Sequence, residues 1–170
     1  ISYENQLHHL GSYFSCIETI DDIYEQMDDD DIFILSNGHA AVALYVVLEK
    51  HFGLNAEMLL KEMGEHPKRN ELKKVHCSTG SLGMGITVAV GRALADKDRK
   101  VFCMISDGEC SEGAVWESLR FINEHKLENI QIYVNANGWA AYDSVDLLYL
   151  EKRLKAFYPR INFVNTTVEK

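Results

Sequence analysis

Two short apolar runs and two further strand-like segments, separated by stretches of helical period, constrain this chain more than any other feature. Ile32-Phe33-Ile34-Leu35 is closed by Ser36-Asn37-Gly38, and Val101-Phe102-Cys103-Met104-Ile105 by Ser106-Asp107-Gly108. Asn129–Val134 runs into the polar turn Asn135-Ala136-Asn137-Gly138, and Ile161–Val164 comes last. The first two runs are apolar at every position, which marks parallel strands covered on both faces. Between the runs the sequence predicts helices over Ala40–Lys50, Asn55–Met63, Ile86–Ala95, Glu112–His125 and Val145–Phe157, and a further one over Cys16–Met27. Asn55 is a good cap for the second of these and Gly53 a good stop for the first. Residues 64–76 are polar and irregular and read as a loop. Strands alternating with helices imply an α/β fold, a parallel sheet flanked by helices. No repeat or low-complexity segment interrupts the pattern. One domain is therefore expected over residues 1–170, with 1–30 as a helical N-terminal extension.

Composition narrows the function classes. Among 170 residues, 46% are hydrophobic and 25% charged, a balance that forms a packed core rather than a disordered chain. The net charge of -9 lies wholly in residues 1–49, which hold ten carboxylates and no Lys or Arg. That segment repels a polyanion and the rest is balanced, so nucleic acid is not an expected partner. Asp28-Asp29-Asp30-Asp31 reads either as a solvated turn or as a docking surface for a basic partner. The longest apolar run, Ala40–Leu48, falls short of the about 20 residues a membrane span needs, and no secretory signal is visible at Ile1. The cysteines Cys16, Cys77, Cys103 and Cys110 show no metal-binding or disulfide spacing. A soluble, cytoplasmic protein with reduced thiols is expected.

The chemistry is expected beyond the carboxyl ends of the strands. Asp107 follows one run and Asn137 follows the next, 30 positions on. If those strands are neighbours, both side chains enter one crevice. A carboxylate, an amide oxygen and a backbone carbonyl suit a hard divalent cation, which commonly brings phosphate with it. Gly108 allows close backbone approach, and the helix starting near residue 112 aims its amides at the same place. The competing reading is that Asp107 and Asn137 only cap turns, and both stand at this point. Gly80, Gly83 and Gly85 form no dinucleotide fingerprint, and no Walker sequence is present. A zinc site from His66, His76 and Cys77 lacks a fourth ligand.

Several segments, in order, carry a family resemblance. They are Leu35-Ser36-Asn37-Gly38-His39-Ala40, His76-Cys77-Ser78-Thr79-Gly80-Ser81-Leu82-Gly83, Ser106-Asp107-Gly108-Glu109-Cys110-Ser111-Glu112-Gly113-Ala114-Val115-Trp116-Glu117 and Asn135-Ala136-Asn137-Gly138. Together, from about His8 to Val164, the chain resembles the N-terminal, diphosphate-binding domain of transketolases, and most closely the split kind encoded as two chains. The resemblance implies a thiamine diphosphate-binding fold. It implies Mg²⁺ (or Ca²⁺ or Mn²⁺) held by Asp107, Asn137 and the carbonyl of Trp139. It further implies diphosphate contacts from His39 and Gly108, a cofactor contact from Glu109, and a loop Gly80-Ser81-Leu82 near the aminopyrimidine. His9 and His66 match histidines that line the substrate channel, with His76 as a further catalytic candidate. For each histidine a plain surface or helix-start role is the alternative. Glu112 matches a glutamate at the interface between two active sites, although a carboxylate in a first helical turn is favourable in any case.

Two departures matter. The family's glycine before the aspartate is Ser106 here, and Tyr142-Asp143 stands where the family often has an aspartate–glycine pair. The resemblance also places the glutamate that activates the cofactor on a following domain, for which residues up to Lys170 offer no counterpart. The expectation is one chain of a two-chain enzyme that transfers a two-carbon ketol unit from a ketose to an aldehyde, acting on sugars or sugar phosphates. A partner subunit would carry the pyrimidine-binding domain, in an α2β2 hetero-oligomer. A non-catalytic or regulatory module on the same fold, or another thiamine diphosphate carboligase or decarboxylase, is the alternative reading.

Overall fold

The strands form where the apolar runs predict them. In the computed structural model, which describes residues 1, 5–140 and 143–167, β1 is Ile32–Leu35, β2 Val101–Ser106, β3 Ile130–Ala136 and β4 Asn162–Asn165. All neighbours pair in parallel, in the order β1-β2-β3-β4. Leu35 lies opposite Met104, Ser106 opposite Asn135, and Ala136 opposite Asn165. The carboxyl ends of all four strands therefore meet at one edge. β3 extends two residues beyond the expected stop because Asn135 continues the ladder with Ser106.

Alternation along the strands divides the core. Phe33, Leu35, Phe102 and Met104 face one layer, formed by α1 (Leu10–Gln26), α2 (Ala41–Phe52) and α3 (Ala56–Met63). Ile34, Cys103, Ile105, Ile132 and Val134 face the other, formed by α4 (Met84–Ala95), α5 (Gly113–Glu124) and α6 (Leu147–Phe157). The parallel sheet flanked by helices is thus as expected. Helix α1 begins six residues before its expected start, and Tyr13, Cys16, Ile20 and Ile23 are buried in the first layer. The segment read as an extension is a structural wall of the core. Asn55 caps α3 by accepting the Met58 N–H at 2.9 Å, and Gly53 ends α2 in the left-handed conformation.

The acidic run lies in the turn between α1 and β1. Lys100 pairs with Asp28 at 2.9 Å, and Asp31 accepts the Asp28 N–H at 2.9 Å, so part of its charge is compensated locally. Among the described residues no helix is long and apolar enough to cross a membrane.

One contact sets how closely α4 meets β1. A Cβ added at Gly85 would lie 2.5 Å from the Ser36 Cα, a backbone atom that cannot step aside. Gly85→Ala is expected to destabilise the fold by about 1–3 kcal/mol through overpacking, read from the midpoint of chemical denaturation.

Candidate functional site

The edge where the strands end is knitted by one carboxylate. Glu109 lies in the single turn of 3-10 helix Gly108–Ser111 that follows β2, and it is fully buried. Its Oε1 accepts the Ser36 hydroxyl and the Gly83 N–H, both at 2.8 Å, and its Oε2 accepts the Ser106 N–H at 3.1 Å. Ser106 Oγ in turn accepts the Glu109 N–H at 3.1 Å. The tip of β1, the start of α4 and the tip of β2 are thereby fixed to one another. Burial pushes the Glu109 carboxyl above its ordinary range, and the donors from Gly83, Ser36 and Ser106 oppose that. Glu109, expected at the cofactor, has no exposed surface, and both its oxygens accept from protein donors. It is a bracket beneath the site.

Asp107 and Asn137 stand in neighbouring loops at the strand ends. β2 and β3 are neighbours, and Asp107 Oδ2 accepts the Gly138 N–H at 2.7 Å while Oδ1 accepts the Gly108 N–H at 3.0 Å. Gly138 adopts φ 85°, a left-handed conformation that turns its N–H toward the carboxylate. Asn137 Oδ1 accepts the Trp139 N–H at 2.9 Å. Both side chains therefore cap their loops, as one reading required. Yet each oxygen keeps a second lone pair, so capping leaves ligation open. Asp107 is 2% exposed and forms no ion pair among the described residues, and burial raises its pKa against the pull of the Gly138 and Gly108 amides. Trp139 is largely exposed beside them. Tyr142 lies outside the described residues, whereas Asp143 accepts the Ala140 N–H through its main chain at 2.9 Å.

Three of the four candidate histidines converge. His9, just before α1, lies 5.3 Å from His39 and 6.4 Å from His66 between ring centroids. His39 belongs to the short turn Gly38–Ala40 after β1. Burial, with the neighbouring His9 and His66 rings, pulls its pKa down to about 4. The loop Gly80-Ser81-Leu82 is exposed and lies against the same group, since a Cβ at Gly80 would sit 3.1 Å from the His66 ring. Thr79 ties that loop to β1 by donating to the Leu35 carbonyl at 2.8 Å. Glu112 packs on Gly83 at the start of α5, where a Cβ on the glycine would be 2.9 Å away.

His76 does not join them. Its ring bonds to Glu71, which also binds Arg69 and Arg92. It lines a separate cleft with Asp28 and Asp31, residues that precede β1 at the opposite edge of the sheet. Its catalytic reading is corrected: the ion cluster that holds it is built from the polar segment 69–76 and α4. Asn135, read from the sequence as part of the polar turn, instead lies within β3 and is buried, donating to Ser15 Oγ at 2.9 Å and accepting from Thr166 Oγ1 at 2.8 Å.

Such an edge characterises the α/β domains that hold a ligand beyond the carboxyl ends of parallel strands. Comparison with known proteins gives the family. Residues 12–160 match the family described as transketolase, thiamine diphosphate binding domain. The chain is 36% identical over 154 residues to transketolase-like protein 2 of Mus musculus, covering 79% of this chain and 24% of that one. It is 31% identical over 157 residues to one of the subunits of the apulose-4-phosphate transketolase of Phocaeicola vulgatus, covering 81% and 56%. Among solved structures, a transketolase from Campylobacter jejuni superposes with a TM-score of 0.63 at 28% identity, covering 75% of this chain and 23% of that one. The chain belongs to the transketolase family, as its thiamine diphosphate-binding domain. It spans about a quarter of the length of the mouse and Campylobacter proteins and just over half of the Phocaeicola protein.

Two outcomes follow. Glu109→Gln keeps the size of the side chain but turns an amide N–H₂ toward a donor. It should cost about 1–3 kcal/mol of stability in chemical denaturation, the penalty of a buried donor left unpaired. His39 should stay neutral at pH 6–8. The unfolded chain takes up its proton near 6.5 and the folded one near 4, so His39 lowers stability progressively as pH falls from about 6.5 to about 4. Ring resonances followed by NMR should show this low pKa, and it should rise in His9→Gln and in His66→Gln.

Proposed function

We propose that this domain holds thiamine diphosphate through a divalent cation and contributes it to a transketolase-like enzyme that moves a two-carbon ketol unit from a ketose to an aldehyde. The observation that carries the reading is the 2.7 Å bond from the Gly138 amide to Asp107, which joins the loop bearing Asp107 to the loop bearing Asn137 and Trp139. The donors available there are a carboxylate, an amide oxygen and the Trp139 carbonyl. All are hard oxygens, which fit Mg²⁺, Ca²⁺ or Mn²⁺ and not a thiolate-seeking metal. Asp107 supports the fit further, since it is a buried carboxylate surrounded by amides and lacking a cationic neighbour among the described residues. Asn37 adds an orphan: its Oδ1 is buried at the tip of β1 without a protein donor among the described residues.

In this reading Asp107, Asn137 and the Trp139 carbonyl hold the cation, and His39 receives the diphosphate together with the Gly108 amide, whose N–H would turn to it from Asp107 Oδ1. A neutral His39 has one ring N–H to donate, and its low pKa keeps it in that state at working pH. The cofactor supplies carbanion chemistry when bound. His9 and His66 stand on the exposed side of His39, where imidazoles can donate to sugar hydroxyls and move protons. Gly80, Ser81 and Leu82 offer an exposed wall beside them for the aminopyrimidine. We assign the activating glutamate and the pyrimidine-binding domain to a second chain, in an assembly with two copies of each. The Phocaeicola relative supports this, since its name makes it one subunit of its enzyme.

Asp107→Ala should weaken Mg²⁺-dependent thiamine diphosphate binding by about a hundredfold or more in the assembled protein, measured by calorimetry. Unchanged affinity would end the proposal.

A further inference from the structure

Asp107 and Gly108 line a pocket of about 470 Å³ together with Tyr149, Leu150 and Arg153 of α6. There Arg153 holds its guanidinium over the ring of Trp116, 4.6 Å from the centroid, and 5.1 Å from the centroid of Tyr149. Trp116 is itself fixed, donating Nε1–H to the Cys110 carbonyl at 2.9 Å and meeting Phe157 edge to face at 5.5 Å. The cation is thus held on a braced platform. Among the described residues Arg153 has no carboxylate partner, whereas Lys155 on the same helix pairs with Glu151 one turn earlier. A guanidinium stacked on aromatic faces keeps all its N–H edges for a planar or tetrahedral anion.

We infer that Arg153 is a diphosphate-binding residue, reaching from α6 to the anion that the cation at Asp107 anchors. The inference rests on the function proposed above and adds a contact supplied by a helix that follows the metal-binding loop. The diphosphate is the anion the lining favours, because Asp107, Gly108 and Arg153 line the same pocket and Asp146, the other carboxylate in it, is engaged in capping α6 at the Tyr149 N–H. A substrate phosphate is the other source of the same chemistry, and the test separates the two.

The experiment titrates the assembled protein, by calorimetry in saturating Mg²⁺, with inorganic pyrophosphate and with thiamine diphosphate. Wild type, Arg153→Met and Arg153→Lys are compared, with ligand-free melting curves for each. The expected result is a roughly tenfold weaker Kd for both ligands in Arg153→Met, with a shallower dependence on salt, and partial recovery in Arg153→Lys. Equal affinities in wild type and Arg153→Met overturn the inference and leave the proposed function standing. Unchanged cofactor affinity with a raised KM for a phosphorylated ketose alone moves Arg153 to the substrate and also overturns it. Wild type that binds neither ligand in a Mg²⁺-dependent way overturns the proposed function together with the inference. A lower melting temperature in Arg153→Met with unchanged Kd shows a packing role only and counts against the inference.

Discussion

The buried carboxylate of Glu109 is the constraint on which the working edge depends. A carboxylate without exposed surface is costly unless its oxygens are fully occupied. Here the occupants come from three separate places, the tips of β1 and β2 and the first residue before α4. The desolvation cost of one side chain thereby becomes a geometric specification. His39 follows Ser36 by three residues, Asp107 follows Ser106 directly, and the Gly80–Leu82 loop precedes Gly83. Every element of the proposed cofactor site on these three segments is within a few residues of an atom that Glu109 holds.

The sheet completes the arrangement. Parallel pairing with matched ends brings the tips of β2 and β3 side by side, and the Asp107–Gly138 bond closes the gap between their loops. Asn135 secures the third side by joining β3 to α1 and to the segment after β4. Helix α1 also delivers His9 to the histidine group, so its packing in the core and its position at the site are one fact. Clustering then shapes the chemistry: crowded imidazoles in a half-buried setting disfavour protonation at His39.

Much of this was legible in the sequence, for identifiable reasons. β1 and β2 were visible because a strand covered on both faces is apolar at consecutive positions. Asp107 and Asn137 were visible because turn chemistry after a strand is local. The meeting of His9, His39 and His66 was not local: the order of motifs singled out each histidine, and only the fold brings them together. The same route misled at His76, whose partners Glu71 and Arg92 are set by tertiary packing. The role of Glu109 was hidden because Ser36 lies 73 positions away and Gly83 lies 26 away, and no periodicity encodes such partners. The first turns of α1 were missed because the amphipathic stripe is weak there, with Phe14 77% exposed.

Because one side chain serves three anchor points, lesions at that node do not accumulate independently. Once the acid is gone, the hydroxyl of Ser36 and the amide of Gly83 have lost a common acceptor, and altering either then removes little more. Double mutants involving Glu109 and Ser36 should be strongly sub-additive. A substitution at Glu109 is therefore felt at the tips of both β1 and β2 and at the start of α4 at once.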